Sequence, residues 1–297
     1  MAGAPGHVPV LLHEVLHWLA PKDGGVYVDA TLGLGGHSRA ILEASAPGGR
    51  VIGFEWDSQA ATIARENLAE FADRIQIVPA SYVGLQDELA RLQISGIDGL
   101  VADLGVSSLQ LDAGERGFSF MVDAPLDMRM DKSRQLDATG LLAAVSETQL
   151  ADLLYYYGEE RQARRIARHL VQAREVEAIV GTKQLARLVA MAVPRKYHPH
   201  RVHVATKTFQ ALRIAVNGEL ENIETLLRTA PAALKPGGRM AVIAFHSLED
   251  RLVKQAIEQD VMLQALYKKP LEATEEETRK NPRARSAKMR VAERRYS

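Results

Sequence analysis

The stretch VYVDATLGLGGHSRAIL, residues 26–42, decides the fold. It opens with a short β-branched run, passes through a glycine-rich turn and continues at helical spacing. Gly33, Gly35 and Gly36 can adopt positive φ and let the backbone approach a ligand closely, while a helix start offers unpaired N–H groups. The stretch therefore predicts a cofactor-binding turn between a strand and a helix, although a merely tight turn would use the same glycines.

The residues around this turn narrow the class of cofactor. The spacing G-x-G-G differs from the G-x-G-x-x-G of a dinucleotide site, which disfavours a hydride-transfer enzyme. Glu55 ends the next predicted strand, at the position where nucleotide-type folds hold ribose hydroxyls, and its carboxylate can accept two O–H donors. Alone, Glu55 could be a capping or surface acid. Together the two signals predict an adenosine-containing ligand at the carboxyl ends of the strands.

The wider sequence predicts an α/β protein with a discontinuous core. Short apolar runs alternate with helical segments, which is typical of a parallel sheet covered by helices. The predicted strands are residues 26–30, 50–55, 74–80, 97–105 and 239–245. From about Ala113 to His203 only helical patterns occur, so we expect an all-helical insert domain at 113–204 between two parts of the core, 1–112 and 205–297. LQALYKKPL and KMRVAERR are predicted to pair as a two-strand edge.

Composition limits the function classes. The 297 residues include 46% hydrophobic and 25% charged residues, as in an ordinary globular protein. Cysteine is absent, which excludes disulfides, thiolate metal sites and cysteine nucleophiles. No apolar run approaches the ~18 residues of a membrane span, and the first residues do not resemble a secretory leader, so we expect a cytoplasmic protein.

Basic residues cluster in two places although the formal net charge is zero. One cluster spans residues 279–297, where eight Lys or Arg face the single acid Glu293. The other lies within residues 195–203. Either cluster could be solvated surface or a contact with nucleic acid.

Two further polar residues are predicted at the same edge of the sheet. Asp103 ends the fourth predicted strand, in VADLGVSSLQLD, and His246 follows the fifth, in AFHSLEDR. Open α/β sheets bind ligands outside the carboxyl ends of their strands, so both side chains are candidates for the site. Each could instead be a structural residue that satisfies hydrogen bonds of its own loop.

Taken together, the motifs resemble one known family over about residues 7–295. The most specific of them are GVSSLQLD, GERGFSF and FHSLEDR, accompanied by DATLGLGGHSRAIL, YGEERQARRIAR, ATKTFQALRIAVNGEL and NPRARSAKMRVAER. They are similar to those of the bacterial ribosomal RNA small subunit methyltransferase H family. The segment Asp103 to Val106 also resembles, without matching, the Asp/Asn-Pro-Pro-aromatic turn of nucleotide-amine methyltransferases.

The resemblance implies an S-adenosylmethionine-dependent enzyme that methylates the N4 amine of a cytidine in the decoding centre of 16S ribosomal RNA, without a metal. It implies a class I, Rossmann-like methyltransferase sheet with a helical insert, and 16S RNA, free or within the small subunit, as partner. Oligomeric state stays open. The implied catalytic residues are Asp103 and His246, and the implied cofactor contacts are Gly35, Gly36, His37, Glu55, Tyr82, Asp103 and Gln110.

Two of these positions depart from the commoner family pattern. Glu55 stands where Asp is more usual, and Tyr82 where Phe is frequent. Two other classes of protein also stay open: a noncatalytic RNA-binding or assembly protein that keeps the fold as a scaffold, and an NAD-dependent oxidoreductase.

Overall fold

The computed structural model of the chain describes residues 9–106, 109–110 and 114–296. Contacts divide the chain into two compact units. The sheet unit consists of Met1–Gly105 with Leu220–Ser297, and the helical unit of Val106–Glu219. His7, Val8 and half of the GVSSLQLD motif, at 107–108 and 111–112, lie outside the described residues.

The sheet unit is built on eight strands. They are β1 Val26–Asp29, β2 Arg50–Phe54, β3 Ile75–Val78, β4 Ile97–Asp103, β5 Leu234–Ala244, β6 Leu263–Ala265, β7 Leu271–Glu272 and β8 Lys288–Arg294. The order is β3-β2-β1-β4-β5-β8-β6, with β7 also paired to β8. Strands β1 to β5 run parallel, and β8 runs antiparallel to β5, β6 and β7. The predicted α/β class is confirmed.

Twelve helices with complete bounds accompany the sheet in the described part of the chain. They are α1 Leu12–Leu19, α2 Gly36–Ala44, α3 Ser58–Asn67, α4 Leu85–Arg91, α5 Ala138–Ala144, α6 Glu147–Tyr156, α7 Ala163–Val176, α8 Thr182–Ala192, α9 Thr206–Asn217, α10 Glu219–Ala233, α11 Ser247–Gln259 and α12 Glu275–Lys280. Among the described residues, no helix is both long enough and apolar enough to cross a membrane.

The sheet buries both of its faces, as a parallel sheet does when helices cover it. Adjacent residues of one strand point to opposite faces, so Tyr27 joins one core cluster and Val28 the other. Ile41 of α2 packs in the cluster with Tyr27, and Ile223 of α10 packs in the cluster with Val28. Continuous apolar strands therefore hold their carboxyl ends in fixed register.

The predicted pairing of the two C-terminal segments is confirmed, because Leu263–Ala265 and Leu271 of LQALYKKPL pair antiparallel with β8 at the edge of the main sheet. Strand β8 lies inside the main sheet, between β5 on one side and β6 with β7 on the other. Met289, Val291 and Ala292 are fully buried because both faces of β8 contact the core. Strand β5 also begins earlier than expected, at Leu234. Its Pro-Gly-Gly segment resembles a turn in the sequence, but the strand continues through it with a shift in its register against β4.

The helical unit extends beyond the predicted bounds of 113–204 at both ends. Helix α9, expected in the core, packs against α5 and α6 of the helical unit. The buried carboxamide of Asn217, at the end of α9, accepts a hydrogen bond from the Met130 N–H and donates one to the Met128 carbonyl, both at 2.8 Å. These bonds tie α9 to the segment that precedes α5.

We expect Asn217→Ala to lower the free energy of unfolding by about 2 to 4 kcal/mol, because two buried backbone groups lose their partner. Urea denaturation followed by circular dichroism measures this. The matched control is Asn67→Ala, whose amide bonds only the exposed Leu34 carbonyl, and which should cost below about 1 kcal/mol. Equal losses in the two variants would contradict the assignment.

Candidate functional site

The site lies at the carboxyl edge of the parallel strands. Strands β1 and β4 end in Asp29 and Asp103, Glu55 directly follows β2, and His246 lies two residues after β5. Because these strands are parallel and in register, their carboxyl ends share one edge of the sheet. The hydroxyl of Thr31 accepts the Asp103 backbone N–H at 2.6 Å, which joins the loops after β1 and β4.

The glycines of the turn serve packing as well as ligand approach. Gly35 has φ +88°, and a Cβ there would lie 2.8 Å from the Leu68 side chain. A Cβ on Gly36 would overlap the ring of Pro9. Only Gly33, with φ +53°, has open space where its side chain would be. The missing side chain of Gly35 makes room for Leu68, and its role as a point of close ligand approach stays a prediction.

Glu55 links the glycine turn to the next helix. One carboxylate oxygen accepts the Gly33 N–H at 2.9 Å and the other accepts the Asp57 N–H at 2.8 Å. Each oxygen retains a second lone pair for a ligand hydroxyl. Burial raises the pKa of Glu55 to about 8, and the two backbone donors only partly oppose this shift. The longer side chain of Glu55, compared with Asp, thus reaches both backbone donors.

Asp29 is a buried carboxylate to which the sequence analysis gave no role. Its oxygens accept the Ser38 hydroxyl at 2.7 Å and the Thr31 N–H at 3.2 Å. Burial raises the pKa of Asp29, while His37 and the Ser38 backbone N–H oppose the shift. The Asp29 carboxylate therefore lies against the N-terminal turn of α2, where anions bind favourably. In the sequence, Ser38 is the feature from which this role of Asp29 could have been predicted, because it places a hydroxyl donor two residues after Gly36.

Asp103 has an unsatisfied polar atom. Its Oδ1 is buried and has no hydrogen-bond partner among the residues that the structure describes. Burial raises the pKa of Asp103 to about 6; His37 opposes this shift, and the nearby acids Asp29 and Glu249 add to it. A buried acceptor without a donor is costly, so this oxygen suits a donor supplied by a ligand.

His246 begins helix α11 and faces Glu249. Its Nδ1 accepts the Glu249 N–H at 3.4 Å, and its Nε2 lies 3.2 Å from the Glu249 Oε1. The fully buried Glu249 carboxylate also accepts the backbone N–H groups of Phe245 at 2.7 Å and His246 at 3.2 Å. Glu249 thus holds the turn after β5. The sequence analysis missed it, although a Glu three residues after a capping residue is a helix-start signal.

The remaining predicted site residues are placed as follows. His37 is buried in the first turn of α2, with its Nε2 3.0 Å from the Val10 carbonyl. Tyr82 follows β3 and is largely buried in the core cluster of Val28. Gln110 is buried and belongs to the helical unit. The sheet unit thus brings together the glycine turn, His37, Glu55, Asp103 and His246.

The two basic clusters make many internal contacts. In the C-terminal cluster, Arg290 pairs with Asp250 at 2.6 Å and Arg294 donates to backbone carbonyls. In the other cluster, His198 lies 2.9 Å from the Val193 carbonyl and His203 accepts the Ala205 N–H. Contact of either cluster with RNA stays a prediction, and several cations of the C-terminal cluster already hold the fold together.

The electrostatics of the site favour a positively charged ligand. Within the described residues, no Lys or Arg pairs with Asp29, Glu55 or Asp103. The described part of the chain also has no group of three His, Asp or Glu arranged to hold a metal ion. Buried acids without cationic partners raise one another's pKa, and a ligand cation would relieve that repulsion.

Comparisons with known proteins identify the family. The sequence profile described as "MraW methylase family" matches residues 4–295. A relative from Desulfotalea psychrophila, named Ribosomal RNA small subunit methyltransferase H, is 52% identical over 97% of this chain and 97% of its own length. A relative of the same name from Geobacter sp. (strain M21) is 47% identical over 97% of this chain and 98% of its own.

Solved structures were compared as well. An rRNA methylase from Streptococcus thermophilus aligns over 98% of this chain and 100% of its own, with 14% identity and a TM-score of 0.44. The family assignment depends on the sequence matches, which extend through both units. The chain belongs to the MraW methylase family.

Proposed function

We propose that this methyltransferase uses S-adenosylmethionine to methylate the N4 amine of a cytidine in the decoding centre of 16S ribosomal RNA. The single observation that supports it best is the buried, unpartnered Asp103 Oδ1 at the carboxyl edge of the sheet. It can accept an N–H of the target amine. The names of the relatives support ribosomal RNA of the small subunit as the substrate class.

The residues present fit this cofactor. When bound, S-adenosylmethionine supplies a methyl group that its sulfonium charge already activates. Glu55 would accept the ribose hydroxyls through its free lone pairs, and Tyr82 and Gln110 are the proposed contacts to the remainder of the nucleoside. The acids Asp29 and Asp103 make the edge favourable for a cation. Gly35, Gly36 and His37 shape the turn that would hold the cofactor.

The protein's part in the reaction is orientation. Cytosine N4 is a poor nucleophile because its lone pair is delocalised into the ring. An Asp103 carboxylate that accepts an N–H bond would localise this pair and direct it at the methyl carbon. The amine becomes more acidic once it is methylated, so a strong base is unnecessary beforehand and water can take the proton. His246 is the second candidate to take the proton, since its Nε2 is buried and has no hydrogen-bond partner among the residues that the structure describes.

Reaching N4 requires an unpaired or extruded cytidine. Extrusion costs a few kcal/mol, which contacts to the flanking RNA must offset. We expect the substrate to be 16S RNA, free or in the small subunit, and the protein to act in the cytoplasm.

The two other classes of function fit the site less well. A dinucleotide would place its pyrophosphate at the N-terminus of α2, where Asp29 already accepts hydrogen bonds from Ser38 and Thr31. Two negative groups there would repel each other. A noncatalytic scaffold would leave the cost of the buried Asp103 oxygen unexplained. Calorimetry separates the three hypotheses: the methyltransferase should bind S-adenosylmethionine, an oxidoreductase should bind a nicotinamide dinucleotide, and a scaffold should bind neither.

We expect S-adenosylmethionine at a hundredfold over its dissociation constant to add ~2.7 kcal/mol to the free energy of unfolding. Glu55→Gln should weaken binding by about tenfold or more, since one ribose acceptor oxygen becomes a donor. Calorimetry measures both. The control is Glu66→Gln on the exposed side of α3, which should bind like the wild type. Gly35→Val is a poor test, because its side chain would collide with Leu68 and destabilise the fold.

The carboxyl group of Glu55 should also make the affinity for the cofactor depend on pH. The pKa of Glu55 near 8 means that the group is mostly protonated at neutral pH before the cofactor binds. If the carboxylate form accepts both ribose hydroxyls, affinity should rise as the pH rises from 6 to 8 and then level off. Glu55→Gln should remove this rise. An equally steep rise in that variant would assign the proton to another group.

We expect Asp103→Asn to lower single-turnover methylation by ~10²-fold or more while cofactor affinity changes little, if the carboxylate acts mainly on N4 in the transition state. The amide keeps the shape and one acceptor oxygen. A parallel fall in affinity and rate would make Asp103 a cofactor ligand instead. Near wild-type rates in a folded variant would contradict both roles and leave His246 as the next residue to test.

Asp103→Asn should also stabilise the cofactor-free protein. The pKa of Asp103 is about 6 when folded, against 3.8 in the unfolded chain, so the folded state prefers the neutral carboxyl and loses stability as the pH rises through 6. At pH 7.5 the variant should be more stable by up to roughly 3 kcal/mol, and at pH 4 the gap should nearly close. Urea denaturation at both values measures this. Asp152→Asn, at an exposed position on α6, should show no such gap.

A further inference from the structure

A second cavity lies within the helical unit and has no part in the site described above. Its volume is about 540 Å³. Helix α7 lines one side with Arg164, Arg165, Arg168 and His169, and helix α8 contributes Met191. All of these residues belong to the helical unit, so the cavity is complete within it.

The arginines face outward because they lie on the side of α7 opposite to its buried residues. The opposite side of the helix is buried through Ala163, Ile166 and Leu170. Residues three and four apart share one face of a helix, so Arg164 and Arg168 lie one above the other, with Arg165 beside them. All three side chains are exposed. The cations therefore form a fixed row along one wall of the cavity.

This row is poorly neutralised by the protein. In the described part of the helical unit, the only ion pair of the three arginines joins Arg168 to Glu147, at 3.5 Å with both side chains well exposed. Exposed pairs of this kind contribute little. The like charges of Arg164 and Arg168 repel each other across one helical turn. A ligand that carries several negative charges would relieve this repulsion.

His169 supplies an independent indication of a polar ligand. Its Nε2 is buried and lacks a hydrogen-bond partner among residues 9–106, 109–110 and 114–296. Buried polar atoms are nearly always satisfied, and the residue lines the same cavity as the arginines. A buried nitrogen next to three guanidinium groups suits an acceptor-rich group such as a phosphate oxygen.

We propose that this cavity binds phosphodiester groups of the ribosomal RNA substrate, with Arg164 and Arg165 as the main contacts and His169 as a hydrogen-bond donor. The inference rests on the proposed function, which supplies an RNA ligand. Arginine forks match phosphate oxygens, and phosphate contacts position a protein on nucleic acid without reading its bases. The competing occupant is an acidic protein segment. If such a segment occupies the cavity, RNA binding should not depend on these residues.

The first test measures binding of the full-length protein to a small-subunit RNA fragment at several salt concentrations. In the R164Q/R165Q variant the slope of log affinity against log salt should become shallower by about 1.5, the value for two lost phosphate contacts. The matched control is R65Q/R228Q, which removes two exposed arginines from α3 and α10 of the sheet unit. It should keep the wild-type slope.

A second test uses the absence of cysteine from the 297 residues. Gln172 lines the cavity and is exposed, so Gln172→Cys can carry a single photo-crosslinker there. We expect it to crosslink to the RNA fragment, whereas Glu66→Cys on α3 should not. An unchanged salt slope in R164Q/R165Q, or equal crosslinking from both cysteines, overturns the proposal.

The readouts separate this proposal from the proposed function. Wild-type protein that binds RNA without transferring a methyl group to cytidine contradicts the function alone. Wild-type protein that methylates RNA while R164Q/R165Q keeps the full salt slope contradicts the phosphate site alone. Wild-type protein that does not bind RNA contradicts both. Cofactor calorimetry on R164Q/R165Q should match the wild type, because neither substituted residue is among the proposed cofactor contacts.

Discussion

Parallel pairing of β1, β2 and β4 in register is the constraint on which the site depends. It places Asp29, Glu55 and Asp103 at one edge of a sheet whose two faces are already covered. The acids cannot move apart without breaking strand pairs, and their burial raises the pKa of each. Backbone N–H groups satisfy most of their oxygens, but not the Oδ1 of Asp103. The fold thus maintains an electrostatic imbalance that a bound cation would correct.

The hydrogen bonds of Glu55 explain why a longer acid is accommodated at this position. Its two oxygens hold the Gly33 and Asp57 N–H groups at the same time, which fixes the glycine turn relative to the start of α3. Glu249 does similar work at the other side of the site, where it holds the turn after β5. Both carboxylates accept backbone N–H groups, so they fix the turns on either side of the site.

The sequence was sufficient for the features that depend on local pattern. Apolar runs located β1 to β4, and the acids that follow β2 and end β4 located the edge at which Glu55 and Asp103 lie, because strand period and chain order determine them. It was insufficient where long-range pairing decides. The sequence predicted that segment 288–294 pairs with LQALYKKPL, but not that β5 pairs with its other side. Likewise, α9 has ordinary helical spacing, and only its packing against α5 and α6 assigns it to the helical unit.

The internal position of β8 has a consequence for biosynthesis. Strands β1 to β5 are contiguous neighbours that can pair as they emerge, whereas β6 reaches the sheet only through β8. A nascent chain therefore exposes the free edge of β5 until residues 288–294 leave the ribosome. That edge presents unpaired N–H and C=O groups, which invite pairing with other chains. Completion of the sheet thus waits for β8. A chain that lacks β8 would keep β5 as an unpaired, aggregation-prone edge.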